Sequence, residues 1–375
     1  MILPLVIASM AVLLTLAYAS LLDVRDRSVP VHVWYPLYIV GSIAVIWYLV
    51  EIPSGWGTVA GYAALVITLV YGIELDAKDG KVPAHVPVLA IGATALQALA
   101  WGFLWSSLGI AAIAGFVVLV GALREGFELT KKASLNEEGL SPFARLFIVW
   151  HLPLVVALQA LGWAALLLAG KGGLGDLLLL LVALYAGFFL VFAVMNLFGF
   201  ADAIALICIA LFVPRFPFEP LFGYPPLDFL PFSALTNAVI LNLVTPVGIF
   251  IWNAVKGNRA PFPYTFFGFP VKGDTIEHTY GFVMEEFSEK EGTLGRRWIP
   301  VHSALSQMVT AKRVYTKDLK RYPEKYKREL ALYRKAGTVW ISYGVPFILP
   351  ILAGFATALL GGDILFTVMG ALAGR

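Results

Sequence analysis

Charge is what this sequence lacks most. Only 14% of its 375 residues are Asp, Glu, Lys or Arg, against about 25% in a soluble domain. That deficit excludes a water-soluble protein, however large its core. Cysteine is nearly absent as well. Cys208 stands alone inside an apolar run, so the chain can form no internal disulfide and no cysteine-based metal site. The five histidines, His32, His85, His151, His278 and His302, show no ligand spacing such as HxxxH. The sequence therefore calls for no metal and no cofactor. The net charge is only +3, and no nucleic-acid partner is expected.

What is abundant is apolar. Hydrophobic residues make up 59% of the chain, and the mean hydropathy is +0.82. These residues fall in blocks of roughly 20, the length that spans a hydrocarbon core about 30 Å thick. In lipid the backbone must satisfy its own hydrogen bonds, which leaves helices or a closed barrel. The runs are continuous rather than alternating, so they read as helices. The expected fold class is all-α: a polytopic transmembrane bundle of about ten spans with one cytoplasmic hydrophilic domain. Helices are expected at 2–22, 31–50, 57–75, 84–104, 107–123, 145–169, 175–198, 202–213 and 233–255. The eighth is short and stops at Pro214. A last apolar stretch, 339–372, is too long for one straight span. Pro346, Pro350 and Gly361-Gly362 are expected to kink or divide it.

Basic residues orient the bundle by the positive-inside rule. If the loop after the first helix is cytoplasmic, 24 of the 27 Lys and Arg residues fall inside. Only Lys171, Arg215 and Arg375 fall outside. The chain then divides into a membrane domain 1–255, a basic cytoplasmic domain 256–337 and a membrane segment 338–375. Residues 256–337 hold sixteen Lys and Arg against nine Asp and Glu. That surface either binds anionic lipid head groups or positions substrate, or is simply solvated. Its end, 317–335, reads as one charged helix. Residues 23–32 (DVRDRSVPVH) and 76–85 (DAKDGKVPAH) agree at five of ten positions, as an old duplication or by chance.

Ionisable residues inside apolar runs are costly and mark candidate sites. Asp202 opens the eighth helix, and Asp23 sits where the first helix leaves the membrane. The topology puts both on the cytoplasmic side, the condition for an aspartic dyad. Two carboxylates about 3–5 Å apart cannot both ionise cheaply, so one keeps its proton. The other can then draw a proton from water while its partner polarises a peptide carbonyl. A glycine such as Gly199, just before an acid at a helix start, permits close approach. The plainer readings also stand: Asp202 as a helix cap and Asp23 as a loop charge.

These motifs resemble those of the archaeal prepilin and preflagellin peptidases, membrane aspartic peptidases named for a Gly-x-Gly-Asp motif. The first is Asp23-Val-Arg-Asp-Arg27-Ser-Val29-Pro30, followed by Trp34. The second is Gly199-Phe200-Ala201-Asp202-Ala203-Ile204-Ala205-Leu206, running on to Pro214. Phe232 to Ala238 and Val339 to Pro350 are also similar to the archaeal branch. The resemblance is weaker over 51–170 and 256–337. It departs at Ala201, where bacterial members have Gly, and at Ile204, where the family usually has Lys.

The resemblance implies an endopeptidase with Asp23 and Asp202 as its catalytic pair, supported by Gly199, Ala201, Arg27 and Pro30. Its substrates would be prepilins or preflagellins, cut after a short basic leader and before an apolar helix. Asp26, Glu125, Glu137 and Glu138 could attract that leader. Gly173-Leu174-Gly175-Asp176 is a literal copy of the motif, but the topology places it outside. Asp76 and Asp79 rival Asp23 through the repeat. Two other functions stay open: an inactive membrane scaffold, suggested by Ile204, and a transporter.

Overall fold

A computed structural model describes residues 3–52, 55–77, 156–157, 159–170, 172–194, 198–290, 293–300, 314–342 and 347–374. The expected spans 84–104 and 107–123 and the first part of 145–169, up to residue 155, lie outside these residues. So do the second repeat from position 78, Asp79, Glu125, Glu137, Glu138 and Pro346. The described chain forms two compact units. One comprises Met1–Asn237 with Ile351–Arg375, the other Ala238–Pro350.

The first unit is helical. Helix α1, Leu3–Asp26, is uninterrupted by glycine and carries its one proline, Pro4, in the first turn, where no backbone donor is lost. One stripe of α1 is buried, and Ile7, Met10, Leu14, Tyr18 and Leu21 are exposed on the other side. The helix stops at Arg27, whose φ of 51° is left-handed. A short turn, Val31–Trp34, leads into α2, Tyr35–Glu51, which packs along α1. Helix α3 spans Trp56–Ala77. Helix α4 covers Gln159–Leu168, and α5 covers Leu174–Val194.

Helix α6, Phe200–Phe212, is the core of this unit. Every residue from Ala203 to Phe212 is buried, as expected of a helix apolar on all sides. It packs against α1, α2 and α5. Thirteen residues give a helix about 20 Å long, short of a full span. It ends just before Pro214, as the sequence suggests.

Helices α7, Leu230–Asn242, and α8, Val244–Lys256, follow. Together they form one apolar stretch of 27 residues. Near the C-terminus come α12, Ile348–Leu360, and α13, Ile364–Leu372. They bend by 55° at Gly361-Gly362, and Gly362 takes a φ of 102° that side chains avoid. Pro350 does not kink α12, because it lies in the first turn. Among the described residues four helices are long and apolar enough to cross a membrane, or five if the bent pair is one span.

The second unit corrects the all-α expectation. Strand β1, Gly268–Lys272, pairs antiparallel with β4, Thr338–Ser342. Strands β2, Glu285–Lys290, and β3, Thr293–Trp298, form a second antiparallel pair. The start of the last apolar stretch is thus a sheet strand rather than part of a span. The charged segment 317–335 is not one helix either. Helix α10, Thr316–Arg321, ends before Tyr322-Pro323, and α11, Lys327–Ala336, begins beyond it. Pro323 explains the break, because it disfavours helical backbone at the residue before it. A four-residue helix, α9, Tyr264–Phe267, precedes β1. Ile276, Val283, Leu319, Leu330, Tyr333, Val339 and Ile341 make the core of this unit.

Candidate active site

Asp23 is positioned by the buried stripe of α1. Ala8, Ser9, Val12, Leu16, Ala19 and Ser20 recur three or four residues apart on that stripe, and Asp23 is its next position. The side chain is half-buried. Arg27 donates its backbone N–H to the Asp23 carbonyl at 3.0 Å, which closes the last turn. Arg27 is half-buried and Pro30 is exposed. Pro30 precedes the Val31–Trp34 turn in extended backbone.

Asp202 is positioned by the start of α6. Gly199 caps that helix in extended backbone, and its carbonyl accepts from Ala203 N at 2.9 Å. The Asp202 carboxylate folds back over Gly199. A Cβ built on Gly199 would collide with Oδ2 and lie 3.3 Å from Cγ. Ala201 is half-buried, while Ile204 is buried among the packed faces of α6. A lysine at that position would need its ammonium paired or hydrated in an apolar setting.

The charge of Asp23 acts on the Asp202 carboxyl group. The helix directions agree. Arg215, just beyond α6, donates to Tyr48 Oη at 3.4 Å, near the end of α2 that is remote from Asp23. Tyr62 Oη, early in α3, reaches Leu211 O at 3.4 Å. The start of α6 therefore lies at the end of the bundle where α1 finishes.

Asp176 has a different setting. It is 6% exposed. Its Oδ1 accepts from Thr58 Oγ1 and its Oδ2 from Gly173 N, both at 2.9 Å. Thr58 opens α3, at the end of the bundle opposite Asp23. Asp176 ties the start of α5 to the start of α3. No sequence signal marks Thr58 as its partner, 118 residues away.

Among the described residues, no group of three or more His, Cys, Asp or Glu could hold a metal ion. Asp26 is exposed and pairs with Arg25 at 2.8 Å.

Residues 260–364 match the family model described as archaeal peptidase A24 C-terminus type II. The match supports assignment to the archaeal prepilin peptidase family. No curated protein and no solved structure matches the chain. The family match covers most of the basic segment, where the motif resemblance is weaker, and the similar stretch Val339 to Pro350, and it lies C-terminal to both Asp23 and Asp202. In the part of this peptidase-family segment that lies in the second unit, Glu285 is the buried anchor. Arg296 donates to both of its oxygens, at 2.6 and 2.9 Å. The backbone N–H of Trp340 donates to Oε2 at 2.8 Å. One carboxylate thus links the β2–β3 pair to β4.

Proposed function

We propose that the protein is a membrane-embedded aspartic endopeptidase. It cuts class III signal peptides from archaeal prepilins or preflagellins at the cytoplasmic face of the cell membrane. The observation that carries this reading is the placement of Asp23 and the start of α6, which bears Asp202, at the same end of an apolar bundle, with the charge of Asp23 acting on the Asp202 carboxyl group. The peptidase-family match at 260–364 supports it independently.

The chemistry needs only the two carboxyl groups and water. The ionised carboxylate takes a proton from water as the water oxygen attacks the scissile carbonyl carbon. The protonated partner hydrogen-bonds the carbonyl oxygen and transfers its proton as the tetrahedral intermediate forms. Collapse of that intermediate breaks the C–N bond, and the leaving amine takes up a proton. The substrate's apolar helix packs among the enzyme's helices while its basic leader stays in the cytoplasm.

The experiment is co-expression with a tagged pilin-like precursor, read by size shift on a gel and by the N-terminal sequence of the product. The expected result is a cut between the basic leader and the apolar helix. An uncut precursor beside well-expressed protein would favour the scaffold reading.

A further inference from the structure

Two buried hydrogen-bonding groups close in sequence to Asp23 have no hydrogen-bond partner among the described residues. Ser20 is 3% exposed, and its Oγ makes no hydrogen bond. Hydroxyls in apolar helices ordinarily bond back to a carbonyl one turn earlier. Ser9 does this to Leu5 O at 2.7 Å, and Thr68 to Ala64 O at 2.8 Å. Ser20 does not. Trp34 is fully buried, and its Nε1 is also without a hydrogen bond. Leaving such groups unpaired in an apolar setting is unfavourable, so a partner that arrives later is the natural explanation.

Their placement points to what that partner is. Ser20 precedes Asp23 by three residues, so both lie on one face of α1, with Ser20 one turn deeper in the bundle. Trp34 ends the turn that directly follows α1 and packs against it. A serine hydroxyl both donates and accepts, whereas an indole N–H only donates. That pair matches the C=O and N–H groups of a peptide main chain. Main-chain groups are exposed at the start of a helix, where the first four N–H groups have no helical partner.

We infer that Ser20 Oγ and Trp34 Nε1 hydrogen-bond the substrate main chain just past the scissile bond, where its apolar helix begins. They hold that strand against Asp23 and Asp202. The inference rests on the proposed active site, and its test separates the two.

The test compares Ser20→Ala and Trp34→Phe with Asp23→Asn in the full-length protein, using a purified precursor in vesicles. Ser20→Ala removes a hydrogen-bonding group and little else, whereas Trp34→Phe also leaves a cavity in a fully buried site. Cleavage efficiency, kcat/KM, should fall roughly three- to tenfold for each, as expected for one lost hydrogen bond. The melting temperature of Ser20→Ala should be unchanged or higher, because an unpartnered buried group has gone, while that of Trp34→Phe should fall by the cost of its cavity. Ser20→Thr, which keeps the hydroxyl, should restore part of the loss. Wild-type kcat/KM in Ser20→Ala and Trp34→Phe, with Asp23→Asn inactive, would overturn the inference and leave the active site intact. A loss of cleavage in Ser20→Ala matched by a fall in its melting temperature would also overturn it, by showing a packing role. Cleavage that survives Asp23→Asn would remove the active-site reading itself.

Discussion

Oδ2 of Asp202 occupies the space a Cβ on Gly199 would need. This gives the motif glycine a physical role at the start of α6: it leaves room for the carboxylate to fold back. Gly199→Ala should therefore displace the acid without unfolding the helix, because only the end of a flexible side chain has to move. The protein should accumulate in membranes at the wild-type level while precursor cleavage falls by about a hundredfold, as for a catalytic group misplaced by about 1 Å. A quantitative cleavage assay checks this.

Asp176 should matter for stability rather than for chemistry. Asp176→Ala leaves Thr58 Oγ1 and Gly173 N–H without their acceptor in a buried site. The expected cost is about 1–3 kcal/mol, read as a lower melting temperature in detergent. Cleavage per folded molecule should be unchanged.

Arg27 ends α1 with left-handed backbone, which costs a non-glycine residue about 1–2 kcal/mol. Arg27→Gly should leave the melting temperature unchanged or raise it. Arg27→Val should lower it, because a β-branched side chain tolerates that conformation poorly. Thermal melts of the two variants give opposite signs.

Glu285 holds the second unit together. Arg296→Ala leaves a fully buried carboxylate that still accepts from the Trp340 N–H. The expected destabilisation is about 2 kcal/mol, the scale of a charged hydrogen bond at a partly exposed arginine. Faster amide exchange at Trp340 and along β2 would report it.

The spans at the start of the chain were legible because long apolar runs in lipid leave the backbone little choice but a helix. Asp23 was legible by its position at the end of such a run, and Asp202 by standing alone in one. That the two should meet is an expectation from counting helices, since the residues are far apart in sequence. The strand Thr338–Ser342 was not legible, because its apolar residues merge with the helix that follows. Its partner, Gly268–Lys272, is too short to show a pattern. The break at Pro323 was visible in the sequence, but the density of charge around it suggested one continuous helix. Asp176 carries the motif more literally than Asp202, and only the hydrogen bond to Thr58, distant in sequence, reveals its structural role.

The most direct measurement is the cleavage rate of Asp23→Asn, Asp202→Asn and the double variant, at matched expression in the same membranes. Two groups that act as one unit lose everything when either is removed. Each single variant should fall to the background rate, and the double variant should fall no further. Substantial cleavage by either single variant would contradict the account.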